Sequence, residues 1–267
     1  MRKTLFTNGC SWTYGGGLDQ PDTKEHITHL HDNIVWPAHV QRLLNFDKQV
    51  NLAAGCGSNQ RICRTTFDWL SKQTPETLKN TTAIIQWTCV DRYEYYVPKA
   101  TEQFRILPGE PKPYLFQMGD PVKQDLLPSR WAKVNPHGLV SHYEDTTDTN
   151  VLQDAINRYR TYTEQEGIMT WLTQLGFLHD LLNHYEVEHY FWQFSSVIKG
   201  YDKHIQDYMY ERFPFLEEAR HHMWVYERIN DIKPETHDPH PSELGHKQLA
   251  KYIVEAIAKK KTILRKP

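Results

Sequence analysis

Four short segments hold the residues best suited to chemistry: Gly9-Cys10-Ser11-Trp12, the run from Asn51 to Asn59, the run from Gln86 to Arg92, and Asp238-Pro239-His240-Pro241. A serine hydroxyl is a weak nucleophile at its free pKa, so it needs a base within hydrogen-bond reach, itself oriented by a third group. Ser11 supplies the hydroxyl, His240 is the best base, and Asp238, two residues earlier, is its candidate orienter. Each has a plainer use. Alone, Ser11 fits a turn, His240 a helix entry, and Gly55 and Gly57 ordinary turns, although a glycine turn also exposes backbone N–H groups.

The elements around these segments decide whether they can meet. Lys3 to Thr7 is a β-prone run broken by Asn8-Gly9, which delivers Ser11 to a strand end. Ile34, Val35, Ala38, Leu43 and Leu44 recur at helical spacing, with Pro37 tolerated only in a first turn. Gln49 to Leu52 predicts a second strand, followed by a helix capped by Ser58 or Asn59 and running to about Trp69. Thr82 to Trp87 predicts a buried parallel strand. From about Val97 to Asn150 the pattern gives way to proline, glycine and polar residues, and a structureless loop of that length is improbable, so the stretch is expected to be an irregular insertion packed on the body or forming a lid.

Regularity returns with Ile168, Trp171, Leu172, Leu175, Leu178 and Leu182 on one helical face, then a strand from Val187 to Phe194. Leu249, Ile253, Ala256 and Ile257 define a final helix. Strands alternating with helices imply an α/β fold with a parallel sheet, and ligands of such sheets bind outside the carboxyl ends of the strands. The chemical residues fall at those ends.

Composition narrows the classes. With 267 residues, 39% hydrophobic and 24% charged, the chain reads as one globular domain over 1–267, and a net charge of −2 supplies no basic field for nucleic acid. The basic end, Lys259, Lys260, Lys261, Arg265 and Lys266, reads as a solvated terminus. No apolar run approaches the roughly 18 residues of a membrane span, and the opening lacks a signal-peptide core, so the expectation is a cytoplasmic protein. Cys10, Cys56, Cys63 and Cys89 show no metal-binding spacing and read as reduced thiols. His26, His29 and His31 lack an accompanying carboxylate or cysteine pattern, so no metal is expected of them, and hydrolysis by a serine needs no cofactor.

Taken in order, the four segments resemble the blocks of the SGNH hydrolases, the GDSL-like lipase and esterase superfamily. Gly9-Cys10-Ser11 resembles the family's Gly-Asp-Ser block with cysteine for aspartate, Asn51 to Asn59 the glycine block, and His240-Pro241 with Gly245-His246 the late histidine block. The Gly-x-Ser-x-Gly elbow of α/β-hydrolases is a poorer match, because position 13 is threonine. The resemblance implies a three-layer α/β/α sandwich with a parallel sheet of about five strands. It also implies a catalytic set of Ser11, Asp238 and His240, although the family's usual spacing would place the aspartate where this chain has His237.

The third block departs from the family: Thr88-Cys89-Val90-Asp91 puts valine where the oxyanion asparagine is expected. Losing one such donor costs about a hundred- to a thousandfold in rate. The backbone N–H groups of Ser11 and of Cys56 or Gly57 are candidate donors, with Asn59, Thr88 or Arg92 supplying a third. Cys10, Cys56 and Cys89 follow different strands, so their sulfurs are expected to gather near the site. Trp12, Tyr14, Trp36, Trp87, Tyr93, Tyr95 and Tyr96 can stack on sugar rings or belong to the core. The resulting expectation is hydrolysis of a small ester through an acyl-enzyme, with an acetyl ester on a carbohydrate as one substrate. The competing expectation is an SGNH-like module that binds glycan or protein without turnover.

Overall fold

A computed structural model describes residues 3–16, 18, 33–55, 57–90, 92–96, 131–135, 139–140, 163–193, 207 and 240–264. The described elements are β1 (Thr4–Asn8), α1 (Ser11–Tyr14), α2 (Trp36–Leu43), β2 (Lys48–Asn51), α3 (Asn59–Ser71), α4 (Pro75–Lys79) and β3 (Thr81–Trp87). They continue with β4 (Tyr93–Tyr96), β5 (Trp131–Asn135), β6 (Leu139–Val140), α5 (Glu164–His184), β7 (Glu188–Gln193) and α6 (Glu243–Leu264).

The main sheet has the order β2-β1-β3-β7 and every pairing is parallel. The strands β1 and β3 are buried along their whole length, whereas β2 is half-buried, as an edge should be. Side chains of a strand alternate between faces. Accordingly Leu5 and Ile84 enter one apolar cluster, with Trp36, Val40, Leu249 and Ile253 from α2 and α6. Phe6, Ala83, Ile85 and Trp87 enter the other, with Ile62 from α3 and Trp171, Leu175 and Leu178 from α5. Helices thus cover both faces, which makes the body a three-layer α/β/α sandwich. Each fully buried aliphatic side chain contributes roughly 1.5–3 kcal/mol.

Local signals set the helix starts. Ser58 Oγ accepts from Arg61 N–H at 3.1 Å and caps α3, and Thr163 does the same for α5 through Glu166 N–H at 3.1 Å. All six apolar positions expected on the inner face of α5 are buried. In α2 the buried set is Trp36, Pro37, Ala38 and Val40, while Leu43 is exposed and Leu44 packs in its stead.

Two expectations need correction. Among the described residues the parallel sheet has four strands, fewer than the five anticipated. The 97–150 stretch is also not wholly irregular: β5 and β6 lie within it and form an antiparallel sheet with β4. The short alternating run Trp131–Asn135 was hidden by the prolines around it. No helix among the described residues is long and apolar enough to cross a membrane.

Candidate active site

With β2 and β3 flanking β1 on opposite sides, the strand order reverses at β1 and β3, and it is outside the carboxyl ends at such a switch point that open α/β sheets bind ligands. Ser11 stands there. Asn8 ends β1 and anchors its exit: Nδ2 donates to Ile62 O at 3.1 Å and to the Thr65 and Thr66 hydroxyls at 2.9 Å each, while Oδ1 accepts from Gly9 N–H at 2.9 Å. The chain then makes the single turn α1, with Ser11 as its first residue. Gly15, at φ 100°, closes it, and Ser11 O accepts from Gly15 and Gly16 N–H at 2.8 and 2.7 Å.

Gly9 cannot carry a side chain. A Cβ there would lie 2.8 Å from Gln86 Oε1 and 2.9 Å from Gln86 Cβ. The buried Gln86 carboxamide accepts from the Thr13 hydroxyl through Oε1 and donates through Nε2 to Cys10 Sγ at 3.3 Å. From the β2 end, Asn51 Nδ2 donates to Thr13 O at 3.2 Å. The turn that carries Ser11 is therefore held by side-chain amides from three adjacent strand ends.

His240 arrives from the other end of the chain, just before α6. Ser242 starts that helix by accepting from Gly245 N–H through Oγ at 3.2 Å. The fully buried His246 then accepts from Trp36 N–H through Nδ1 at 3.1 Å, which fixes the first turn of α6 on the first residue of α2. With α6 so placed, His240 Nε2 lies 2.7 Å from Ser11 Oγ. Ser11 itself is buried, so the pair sits in a shielded position suited to proton transfer.

The remaining sequence candidates divide. Gly57 is brought against the turn that carries Ser11, since a Cβ on it would meet Gly9 O at 3.0 Å and Cys10 Cα at 3.5 Å. Its N–H, however, donates to Ala54 O at 3.1 Å. In the structure Asn59 is engaged elsewhere: Oδ1 accepts from Thr88 N–H at 2.9 Å and Nδ2 donates to Thr88 O at 3.1 Å, so the carboxamide clamps the β3 exit. Thr88 is fully buried, with its Oγ1 accepting from Arg92 Nη1 at 3.1 Å, so Arg92 is drawn to the same exit. Val90 is part of the core.

Asp238 and Cys56 lie outside the described residues, as do His26, His29 and His31. No group of three or more metal-ligating side chains occurs among the described residues. Trp12, Trp36 and Trp87 are buried and belong to the core, which removes them as sugar-stacking platforms. Of the three cysteines expected at the strand ends, Cys10 is buried beneath the turn and Cys89 is half-buried. Sequence reasoning passed over Gly16 and, within the segments that begin with them, gave Asn51 and Gln86 no role of their own. The only signal for Gly16 was the Gly15-Gly16-Gly17 run, and a carboxamide at the end of a β-run marks the other two.

A family model described as a family of unknown function, DUF6071, matches residues 18–163 and leaves both Ser11 and His240 outside the match. Comparison with curated proteins gives no match. Among solved structures the chain is similar to one described as a lipolytic protein of the G-D-S-L family from Desulfitobacterium hafniense, with 11% identity, a TM-score of 0.43, and coverage of 96% of this chain and 99% of that one. It is similar to the lipase Lip_vut3 from a goat rumen metagenome, with 9% identity, a TM-score of 0.44, and coverage of 95% and 97%. A carbohydrate esterase whose active site is described as having divergent catalytic and non-catalytic binding functions aligns with 10% identity and a TM-score of 0.44 over 98% of this chain and 70% of that one. Because the family match spans more than half of the chain, the protein belongs to the DUF6071 family.

Proposed function

We propose that the protein is a serine hydrolase acting on a small ester through an acyl-enzyme. The observation that carries this reading is the 2.7 Å contact between Ser11 Oγ and His240 Nε2, formed by a buried serine and a half-buried histidine from opposite ends of the chain. With its own proton on Nδ1, neutral His240 accepts the Ser11 proton as Oγ attacks the ester carbon. The imidazolium then returns that proton to the departing alkoxide, which leaves Ser11 acylated. Water repeats the sequence and releases the acid. Asp238 is the proposed orienter of the imidazolium.

Ser11 N–H, at the first position of α1, has no hydrogen-bond partner among the described residues and is the proposed primary oxyanion donor. The commitment of Gly57 N–H and of the Asn59 carboxamide favours slow turnover, and this supports a second reading, a binding module for glycan esters. A fluorophosphonate probe separates the two. Labelling at Ser11 that Ser11→Ala and His240→Ala both abolish, with hydrolysis of p-nitrophenyl acetate, is expected. Folded but unlabelled wild-type protein would overturn the hydrolase reading in favour of binding. Release of acetate from an acetylated oligosaccharide, compared with p-nitrophenyl acetate, tests the carbohydrate substrate.

A further inference from the structure

A helix of four residues cannot hold its own shape, because nucleating a turn fixes several dihedral angles for a single hydrogen bond. The N-cap of α1, Cys10, makes no capping bond to the turn from its own side chain. Yet Ser11 occupies the first position of that turn, and a base 2.7 Å from its hydroxyl demands a fixed geometry. Something outside the turn must impose it.

We infer that Gln86 is the positioning residue of the nucleophile, spanning the turn from outside and setting Ser11 against His240. Its carboxamide reaches both ends of the turn, with Nε2 donating to Cys10 Sγ at 3.3 Å and Oε1 accepting from the Thr13 hydroxyl. This is the pairing of N-cap and third position that a capping box makes from within a helix. Here it is supplied from the end of β3. Rigidity comes from the donor's own setting: Gln86 is fully buried in a central strand, and its register partner across the ladder is Trp192 of β7. The close fit at Gly9 keeps the β1 exit pressed on the Gln86 side chain. With no exposed surface, Gln86 has no route to a substrate, so it acts only through Ser11.

This inference rests on the hydrolase reading for its kinetic arm and on geometry alone for its structural arm. Gln86→Met keeps the volume and removes both bonds. Thr13→Val removes the hydroxyl donor and leaves the buried Gln86 Oε1 without it, and Thr13→Ser restores the donor. The expected result is a fall in kcat and in the fluorophosphonate labelling rate of about 10- to 100-fold for Gln86→Met, since misplacing a reacting group by about 1 Å costs on that order. KM stays within about threefold, Thr13→Val shifts in the same direction, and Thr13→Ser restores most of the rate. In crystals of Gln86→Met or Thr13→Val the Ser11 Oγ to His240 Nε2 distance should exceed the roughly 3.2 Å of a hydrogen bond. If Gln86→Met fails to fold, Thr13→Val carries the test. Folded variants with wild-type rates, or with the Ser11–His240 contact retained, overturn the inference. A wild-type protein that never labels counts against the hydrolase reading instead, and the crystallographic distance then decides for or against Gln86.

Discussion

Gly16 presents a bare Cα to the His240 ring: a Cβ there would lie 3.0 Å from Nε2, 3.1 Å from Cδ2 and 3.1 Å from Ser11 Cβ. Ordinary carbon contacts are about 3.5–4.0 Å, so a methyl group at Gly16 must push the imidazole or the serine aside. Gly16→Ala is therefore expected to lower kcat by about 10-fold or more while thermal stability changes little, because the ring is half-buried and can swing. Steady-state kinetics beside a melting curve checks this, and an unchanged kcat would mean that the pair tolerates the displacement.

Asn59→Ala separates a clamp from an oxyanion donor. The substitution leaves Thr88 N–H without its 2.9 Å acceptor in a fully buried position, a loss of about 1–3 kcal/mol. For a chain of this size that corresponds to a fall in melting temperature of roughly 2–4 °C per kcal/mol. Labelling of Ser11 well below the melting temperature should stay within about threefold of wild type. A catalytic loss of about a hundredfold at intact stability would restore Asn59 to the oxyanion site.

Periodicity alone reached the inner face of α5 and the parallel sheet, whereas the three-layer order and the meeting of Ser11 with His240 were expected from the resemblance of the four segments, in their order, to the SGNH blocks. Asn59 shows where sequence reasoning stops. A carboxamide at a helix start reads equally as cap, clamp or donor, and only its partners, here the Thr88 backbone, decide among them. Trp36 and Trp87 show the same limit for aromatics, since burial depends on which strand becomes central for Trp87 and on how α2 packs against α6 and the sheet for Trp36. Gln86 opens one of the four segments, but its role could not be read there because its two partners, Cys10 and Thr13, lie on another strand's exit.

Cysteine chemistry is expected to be silent in the folded protein at Cys10 and Cys63. Burial pushes the Cys63 thiol up to about 12, which leaves almost no thiolate near neutrality, and Cys10 is fully enclosed. Iodoacetamide should carboxamidomethylate both only after denaturation, and native treatment should leave Ser11 labelling intact. Peptide mass spectrometry reads the first outcome. Loss of native labelling that tracks modification of Cys10 would point to a thiol in the mechanism.

His39 introduces a pH dependence of stability. Burial first, then the neighbouring Arg42 guanidinium, hold its imidazole below the ordinary 6.5, against smaller opposing effects of the Ile34 backbone and Glu243 and a reinforcing one of Lys247. The arrangement suits a neutral ring, since Arg42 Nη2 lies 2.8 Å from His39 Nδ1. Between the folded-state pKa and 6.5 the unfolded chain binds more protons than the folded one, so stability rises with pH through that window. The stabilisation is complete above 6.5 and is lost as the pH falls below it. His39→Gln should flatten the melting temperature between about pH 7 and about pH 5 relative to wild type. Parallel pH profiles for the two proteins would exclude His39 as the source.

The ion pair between Arg64 of α3 and Glu94 of β4 ties the antiparallel sheet to the body, with Nε to Oε2 at 3.1 Å and Nη2 to Oε1 at 3.2 Å. The two ends are unequal: the Glu94 side chain is 1% exposed and the Arg64 side chain 25%. Arg64→Met deprives an enclosed carboxylate of this bidentate partner, whereas Glu94→Leu leaves a guanidinium that still reaches water. Breaking a buried pair from one side costs about 3–5 kcal/mol, while replacing both ends with apolar groups is often close to neutral. Arg64→Met should therefore be the more damaging single change, Glu94→Leu the milder, and the double substitution more stable than the sum of the two losses implies. Urea denaturation of all four proteins measures the coupling directly. Additive losses would mean that the pair does not hold the sheet, and equal single losses would mean that the difference in exposure has no energetic effect.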